Sequence, residues 1–155
     1  MDLIVSFIIL QTILLFFMAL HDWIHLPPFT NIRELEKRST KKGRLLNSIL
    51  FFFLIFIPLM LTIIYKPVFP LWALISLLVF YSLLTLGTIF SWWVPYFFGS
   101  SEQQKLDFIE YKNTHHFLPA RGDNVIPNTL HVILHLQIWI CFGLSLYLLV
   151  RYLRA

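Results

Sequence analysis

Four long apolar segments constrain the fold of this chain more than any other feature. They cover residues 3–20, 45–65, 71–94 and 128–150, and none of them contains an Asp, Glu, Lys or Arg residue. A helix needs about 20 residues to cross a hydrocarbon layer about 30 Å thick. Within lipid, a helix satisfies every backbone N–H and C=O group inside its own segment. The sequence therefore predicts an all-α, polytopic membrane protein with four transmembrane helices.

The composition argues against a water-soluble fold. Of the 155 residues, 58% are hydrophobic and 13% are charged, whereas soluble domains carry about 25% charged residues. A soluble domain of about 150 residues buries only about 70% of its surface, so much of this apolar surface would face water. We expect a single four-helix transmembrane domain over residues 1–155, with the first segment retained as a helix. Membrane lipids are its expected partners, and no nucleic-acid partner is expected.

Basic residues are distributed unequally between the two sides of the predicted bundle. Residues 21–44 and 99–127, which follow the first and third apolar segments, contain nine of the twelve Lys and Arg residues. Because basic residues favour cytoplasmic loops, both loops are predicted to lie in the cytoplasm and both termini outside it. Together with the richness in Phe, Ile and Leu, this pattern fits a bacterial inner (plasma) membrane.

Each of these loops contains a pattern typical of a short helix. Asn31 with Glu34 resembles a helix-capping pair, which predicts a helix over residues 32–38. In the other loop, Ser100 with Gln103, or Ser101 with Gln104, is suited to cap a helix over residues 102–116. We expect both helices to lie at the membrane interface.

Histidine is concentrated on the predicted cytoplasmic side. The six residues are His21, His25, His115, His116, His131 and His135. Two pairs have a spacing of four residues, which places both rings on one face if the segment is helical. Two such rings are able to hold one metal ion, so His21, His25, His131 and His135 are predicted to bind a transition metal, zinc or iron. The H-E-x-x-H protease motif is absent, since Asp22 and Val132 follow the first histidines.

Three further residues are candidates for catalysis beside this metal site. His115, His116 and Asp123 carry the imidazole and carboxyl groups that serve most often in acid–base chemistry. Asp22 and Glu110 are additional carboxylates that would act as metal ligands or as hydrogen-bond partners of the histidines.

The arrangement of histidines around apolar spans resembles the histidine boxes of membrane fatty-acid hydroxylases and desaturases. The resemblance implies an iron centre that oxidises a lipid. It covers the general arrangement alone, because those enzymes use more histidines at denser spacings such as H-x-x-H-H, which this chain lacks.

These features leave three functions open. The first is a metal-dependent enzyme that acts on a lipid or lipophilic substrate at the cytoplasmic face. The second is metal-free acid–base catalysis, with His115 or His135 as the base and Asp123 or Glu110 orienting it. The third is a non-catalytic scaffold or accessory subunit with interfacial histidines, whose loops bind a protein partner. Transport ranks low, because the spans lack charged residues. Gln11, in the first span, is expected to hydrogen-bond a neighbouring helix.

Overall fold

The computed structural model describes residues 3–154 of the chain, which form α-helices joined by loops without a β-strand. Four helical stretches within that range are long and apolar enough to cross a membrane: Leu3–Leu20, Lys41–Tyr65, Leu71–Phe98 and Thr129–Arg154. The predicted all-α class and the four spans are therefore confirmed.

Seven α-helices follow one another within residues 3–154. They are α1 (Leu3–Leu20), α2 (Ile32–Arg38), α3 (Lys41–Tyr65), α4 (Leu71–Thr88), α5 (Val94–Phe98), α6 (Glu102–Asp107) and α7 (Thr129–Arg154). A π-helical turn, Ile89–Trp93, joins α4 to α5, so both belong to the third span. Helix α3 begins four residues earlier than predicted, because the Thr40 side chain caps it by accepting a hydrogen bond from the Gly43 N–H.

The four spans form a bundle in which α1 packs mainly against α3, and α4 packs mainly against α7. Its centre is filled by large apolar and aromatic side chains, such as Phe7, Ile55 and Tyr81. Side chains such as Phe53 and Leu83 point outward and are exposed. An apolar outer surface is what a helix bundle presents to lipid tails.

The predicted contact of Gln11 with a neighbouring helix is present as proximity, because its side chain lies close to the Tyr81 hydroxyl of α4. Gln11 is fully buried in α1, but neither atom of its side-chain amide has a hydrogen-bond partner among the described residues. Hydrogen bonds between helices are formed elsewhere: the Gln137 amide of α7 donates to the Leu10 carbonyl of α1, and the Trp139 indole of α7 donates to the Thr88 hydroxyl of α4.

The two predicted loop helices are present with different lengths. Helix α2 has the predicted bounds, and the Asn31 side chain accepts from the Glu34 N–H. Ser101 and Gln104 form a capping box at the start of α6. This helix ends at Asp107 instead of continuing to residue 116, since Phe108 leaves the helical path and packs its ring 4.3 Å from that of Trp92. The position of both helices relative to a membrane stays a prediction.

The loops that contain α2 and α6 are joined to each other. The His115 N–H donates to the Pro28 carbonyl over 2.8 Å. Arg38 donates to the Leu106 carbonyl and lies 3.4 Å from the Glu110 carboxylate. Residues 21–40 and 99–128 therefore form one connected layer over one end of the bundle, which we call the loop end.

Candidate functional site

His131, in the first turn of α7, is held in one orientation by Asn128. The Asn128 side-chain oxygen accepts from the His131 backbone N–H at 2.9 Å and lies 2.7 Å from Nδ1 of its ring. The nitrogen of the same amide donates to the Phe29 carbonyl, which assigns the orientation of the amide. Because an amide oxygen only accepts, Nδ1 of His131 carries the proton, and Nε2 carries a lone pair.

Aromatic rings enclose this imidazole. The Trp92 ring stacks on it with centroids 4.4 Å apart, and the Tyr111 ring meets it edge-on at 4.6 Å. Trp92 lies in the π-helical turn, in which the Val94 N–H bonds to the Ile89 carbonyl, five residues back. Pro95 follows and has no N–H with which to continue the regular ladder. The wide turn thus accommodates the proline and carries Trp92 at the loop end.

His21 follows the last turn of α1 and approaches His131 from the other side. Its Nδ1 lies 3.1 Å from the Phe17 carbonyl, and its Nε2 lies 3.0 Å from the Asp22 carboxylate. Both partners are acceptors, and only a protonated imidazolium donates at both nitrogens. The His21 and His131 rings meet edge to face, with centroids 6.3 Å apart.

His21 and His131 line a common cavity of about 30 Å³, which has room for about one water-sized group. The rest of its lining is both polar and apolar. It consists of Phe17, Asp22, Phe29, Thr30, Asn31, Ile32, Leu35, Glu110, Tyr111, Asn128 and Leu130.

The two acidic side chains in this cavity influence their neighbours. Burial raises the pKa of Glu110; the Arg38 guanidinium opposes this increase, and the Asp22 charge adds to it. Burial also raises the pKa of Tyr111, with smaller contributions from Glu110 and Asp22. The Tyr111 hydroxyl therefore keeps its proton at neutral pH, and it remains a hydrogen-bond donor.

The four predicted metal ligands have different surroundings. His135 is 1% exposed, its ring lies 6.1 Å from that of His131, and its Nδ1 has no hydrogen-bond partner among the described residues. His25 is exposed, because α1 ends at Leu20 and the segment around His25 is not helical. Within residues 3–154, no three His, Cys, Asp or Glu side chains are grouped so that they could hold a metal ion.

The three predicted catalytic residues lie outside the small cavity. His115 is exposed, and its Nδ1 lies 2.7 Å from the Thr129 hydroxyl. The ring nitrogens of His116 lie 2.9 Å from the Tyr111 carbonyl and 3.3 Å from the Pro127 carbonyl. His116 and Asp123 contribute to a separate cleft of about 500 Å³, which His115 does not line.

Sequence reasoning did not identify Trp92, Tyr111 or Asn128 as members of the site. A signal existed for Asn128, which precedes α7 as a typical N-cap residue and stands three residues before His131. No comparable signal places Trp92 and Tyr111 on the His131 ring, because their positions depend on the π-helical turn and on the short α6.

The fold and the loop end define a four-span membrane protein with a small cavity, lined by polar and apolar side chains, at one end of its bundle. Comparison with protein families, with curated proteins and with solved structures finds no match.

Proposed function

We propose that this integral membrane protein carries out acid–base chemistry on a lipophilic substrate at the loop end. The observation that carries the proposal is the lone pair on Nε2 of His131, which the Asn128 amide leaves available by binding Nδ1. In this proposal, His131 accepts a proton from a substrate group or from a water molecule in the cavity.

The proposed acid is the pair formed by His21 and Asp22. Both ring nitrogens of His21 face acceptor oxygens, so His21 has to release Phe17 or Asp22 before it donates a proton to a substrate. A basic imidazole and an acidic one, held next to each other by different partners, are a suitable arrangement for moving a proton across a substrate. Tyr111 supplies a further donor beside them.

The size and lining of the cavity support a lipophilic substrate with a small polar group. The cavity admits about one water-sized group, and its lining includes Phe17, Ile32, Leu35 and Leu130. A polar group of that size would lie near His131, while the apolar part of the molecule would stay against the apolar side chains and the lipid.

The basic residues support a cytoplasmic location for this site. Nine of the twelve Lys and Arg residues belong to the loop-end segments or to the first turn of α3. By the positive-inside rule, the proposed orientation has both termini outside the cytoplasm, in a bacterial inner membrane. The substrate would then come from the cytoplasmic leaflet.

A transition metal, zinc or iron, is a second candidate for this site. It is favoured by the unoccupied Nε2 of His131 and by the Asp22 and Glu110 carboxylates that line the same cavity. Metal binding would require His21 to release Phe17 or Asp22, since both its nitrogens are engaged. His25 would have to move from its exposed position. Acid–base chemistry requires the first of these changes but not the second, and it is therefore the preferred candidate.

The test uses purified protein in vesicles of bacterial polar lipids, with lipid products followed by mass spectrometry. We expect turnover that persists in the presence of EDTA and falls about 10²- to 10⁴-fold in His131→Gln. His115→Gln is the matched control, because this exposed histidine lies outside the cavity, and it should keep its activity.

Three results would contradict the acid–base proposal. Turnover that disappears with EDTA, with about one metal ion per chain that His131→Gln releases, would favour the metal candidate. An equal loss in both histidine variants would remove the special role of His131. Absence of turnover together with a protein partner that copurifies would favour the scaffold alternative.

The position of the proton on the His131 ring can be tested separately, without a substrate. Nuclear magnetic resonance of protein with ¹⁵N-labelled histidine should show His131 protonated at Nδ1 only, and Asn128→Ala should abolish that preference. An Nε2-protonated ring in the unaltered protein would contradict the proposed base.

A further inference from the structure

The larger cleft at the loop end has the dimensions of a ligand site. Its volume of about 500 Å³ falls within the range of about 300–1,000 Å³ that is typical of small-molecule pockets. One wall is α6 with the turn that follows it, and the other is formed by residues 122–126. The Tyr111 side of the cleft adjoins the small cavity, since Tyr111 lines both spaces.

His116 connects the two walls of this cleft. Its ring nitrogens lie within hydrogen-bonding distance of the Tyr111 carbonyl on one wall and of the Pro127 carbonyl beyond the other. The polar contacts of His116 therefore link the two walls of the cleft without a bound molecule.

The cleft combines an apolar wall with charged side chains. Its apolar lining consists of Leu106, Phe108, Ile109, Val125 and Ile126. Two of these side chains remain well exposed, Leu106 at 52% and Ile109 at 38%. Apolar side chains exposed beside a concave surface are typical of a site that takes an apolar ligand.

The charges at the cleft are not all balanced. Lys105 forms an ion pair with Glu102 at 2.8 Å. Lys112 and Asp123 line the same cleft, and neither forms an ion pair with another of residues 3–154. Lys112 is thus available beside the apolar wall, together with Asp123, whose charge also acts on Lys105.

We propose that this cleft binds a zwitterionic phospholipid. Lys112 would contact the phosphate, Asp123 would contact the ammonium group, and the apolar wall would hold the first part of an acyl chain. A lipid with a net negative charge lacks the ammonium group that Asp123 would contact, so the cleft should discriminate against it. This proposal goes beyond the proposed function and does not depend on His131.

The test is a titration of detergent-purified protein with three molecules, followed by native mass spectrometry. The molecules are a phosphatidylethanolamine, a phosphatidylglycerol with the same acyl chains, and soluble phosphoethanolamine. We expect phosphatidylethanolamine to bind about tenfold more tightly than phosphatidylglycerol, a difference of about 1.4 kcal/mol, because Asp123 attracts the ammonium group that phosphatidylglycerol lacks. Phosphoethanolamine should bind more weakly than either lipid, since it cannot use the apolar wall.

Two substitutions test the separate charges. Lys112→Ala should weaken phosphatidylethanolamine binding about tenfold. Asp123→Asn should weaken phosphatidylethanolamine binding and strengthen phosphatidylglycerol binding, which removes the discrimination. Both side chains are exposed, so the variants should unfold at the same temperature as the unaltered protein. Lys42→Ala is the matched control, because Lys42 is an exposed basic residue outside the cleft, and it should leave both affinities unchanged.

Equal affinities for the two lipids would overturn the proposal if Lys112→Ala also leaves both affinities unchanged. The proposal would also be overturned by tighter binding of phosphatidylglycerol, or by phosphoethanolamine binding as tightly as the lipid. Because neither Lys112 nor Asp123 lines the small cavity, a negative result here would leave the turnover test of His131 unaffected.

Discussion

Two buried amide side chains, Asn128 at the loop end and Gln11 in the middle of the bundle, differ in how far their polar atoms are paired. At the loop end, Asn128 uses both ends of its amide, and each has a partner. In the middle, Gln11 and the Tyr81 hydroxyl are fully buried without a hydrogen bond among the described residues. A buried polar group without a partner costs free energy. Asn128 therefore helps to specify the site, whereas Gln11 and the Tyr81 hydroxyl lower the stability of the fold.

The unpaired groups in the middle come from different helices. The Tyr81 hydroxyl of α4 lies close to the side chains of Gln11 in α1 and Cys141 in α7, but without a normal hydrogen bond. The contribution of a buried polar side chain to stability thus depends on whether the groups around it offer a hydrogen-bond partner. The capping position before α7 lets Asn128 reach such partners, and Gln137 reaches the Leu10 carbonyl, whereas the Gln11 amide has none among the described residues.

The largest expected effect concerns Asn128. Asn128→Ala removes the cap of α7 and leaves the buried Nδ1–H of His131 without an acceptor. We expect a loss of about 3 kcal/mol in the free energy of unfolding, of which about 1 kcal/mol comes from the cap. The measurement is a denaturant or detergent titration of the purified protein.

Asn31→Ala is the matched control for that prediction. Asn31 caps the short helix α2 through a single contact to the Glu34 N–H, so the expected loss is about 1 kcal/mol or less. Equal losses in the two variants would show that Asn128 acts as a cap alone and that its contact with the His131 ring contributes nothing.

The next effect compares two glutamines in the spans. Gln11→Leu removes an amide that has no partner, so we expect unchanged stability or a gain of up to about 1 kcal/mol. Gln137→Leu removes the hydrogen bond to the Leu10 carbonyl and should cost about 1 kcal/mol. Unfolding titrations of both variants check this difference. A larger loss of stability for Gln11→Leu would mean that the Gln11 amide forms a hydrogen bond in the middle of the bundle.

The smallest expected effect is a change in pH dependence at the loop end. Burial raises the pKa of Glu110 above its ordinary value of 4.5, so the folded state binds this proton more tightly than the unfolded state. The resulting stability is fully present below the ordinary pKa and is lost as pH rises through the raised one. The midpoint of thermal unfolding of Glu110→Gln should therefore decrease less over the window just above pH 4.5, and parallel curves for the two proteins would contradict this.

Much of the fold was predictable from the sequence, because hydropathy and capping are local properties. The span Leu3–Leu20 and the helix Ile32–Arg38 were predicted with their observed bounds. Helix α6 was predicted too long, since its end depends on the distant contact between Phe108 and Trp92.

The candidate site was less predictable, because it depends on where helices end and on which loops meet. The spacing of His21 and His25 is the same as that of His131 and His135, but only the second pair lies within a helix. The contact between the Pro28 carbonyl and His115 joins residues that are far apart in the chain. No local pattern contains that information.

The π-helical turn at Ile89–Trp93 has a consequence for any residue-by-residue scan of the third span. One extra residue in a turn rotates everything after it by about 100° relative to a regular helix. A label attached at successive residues of the span should therefore face lipid and protein in turn. The positions that face lipid should follow one helical phase up to Thr88 and a different phase from Val94. Deletion of one residue from that turn would give the whole span a single helical phase. It would also rotate Trp92 and Trp93 away from their present neighbours.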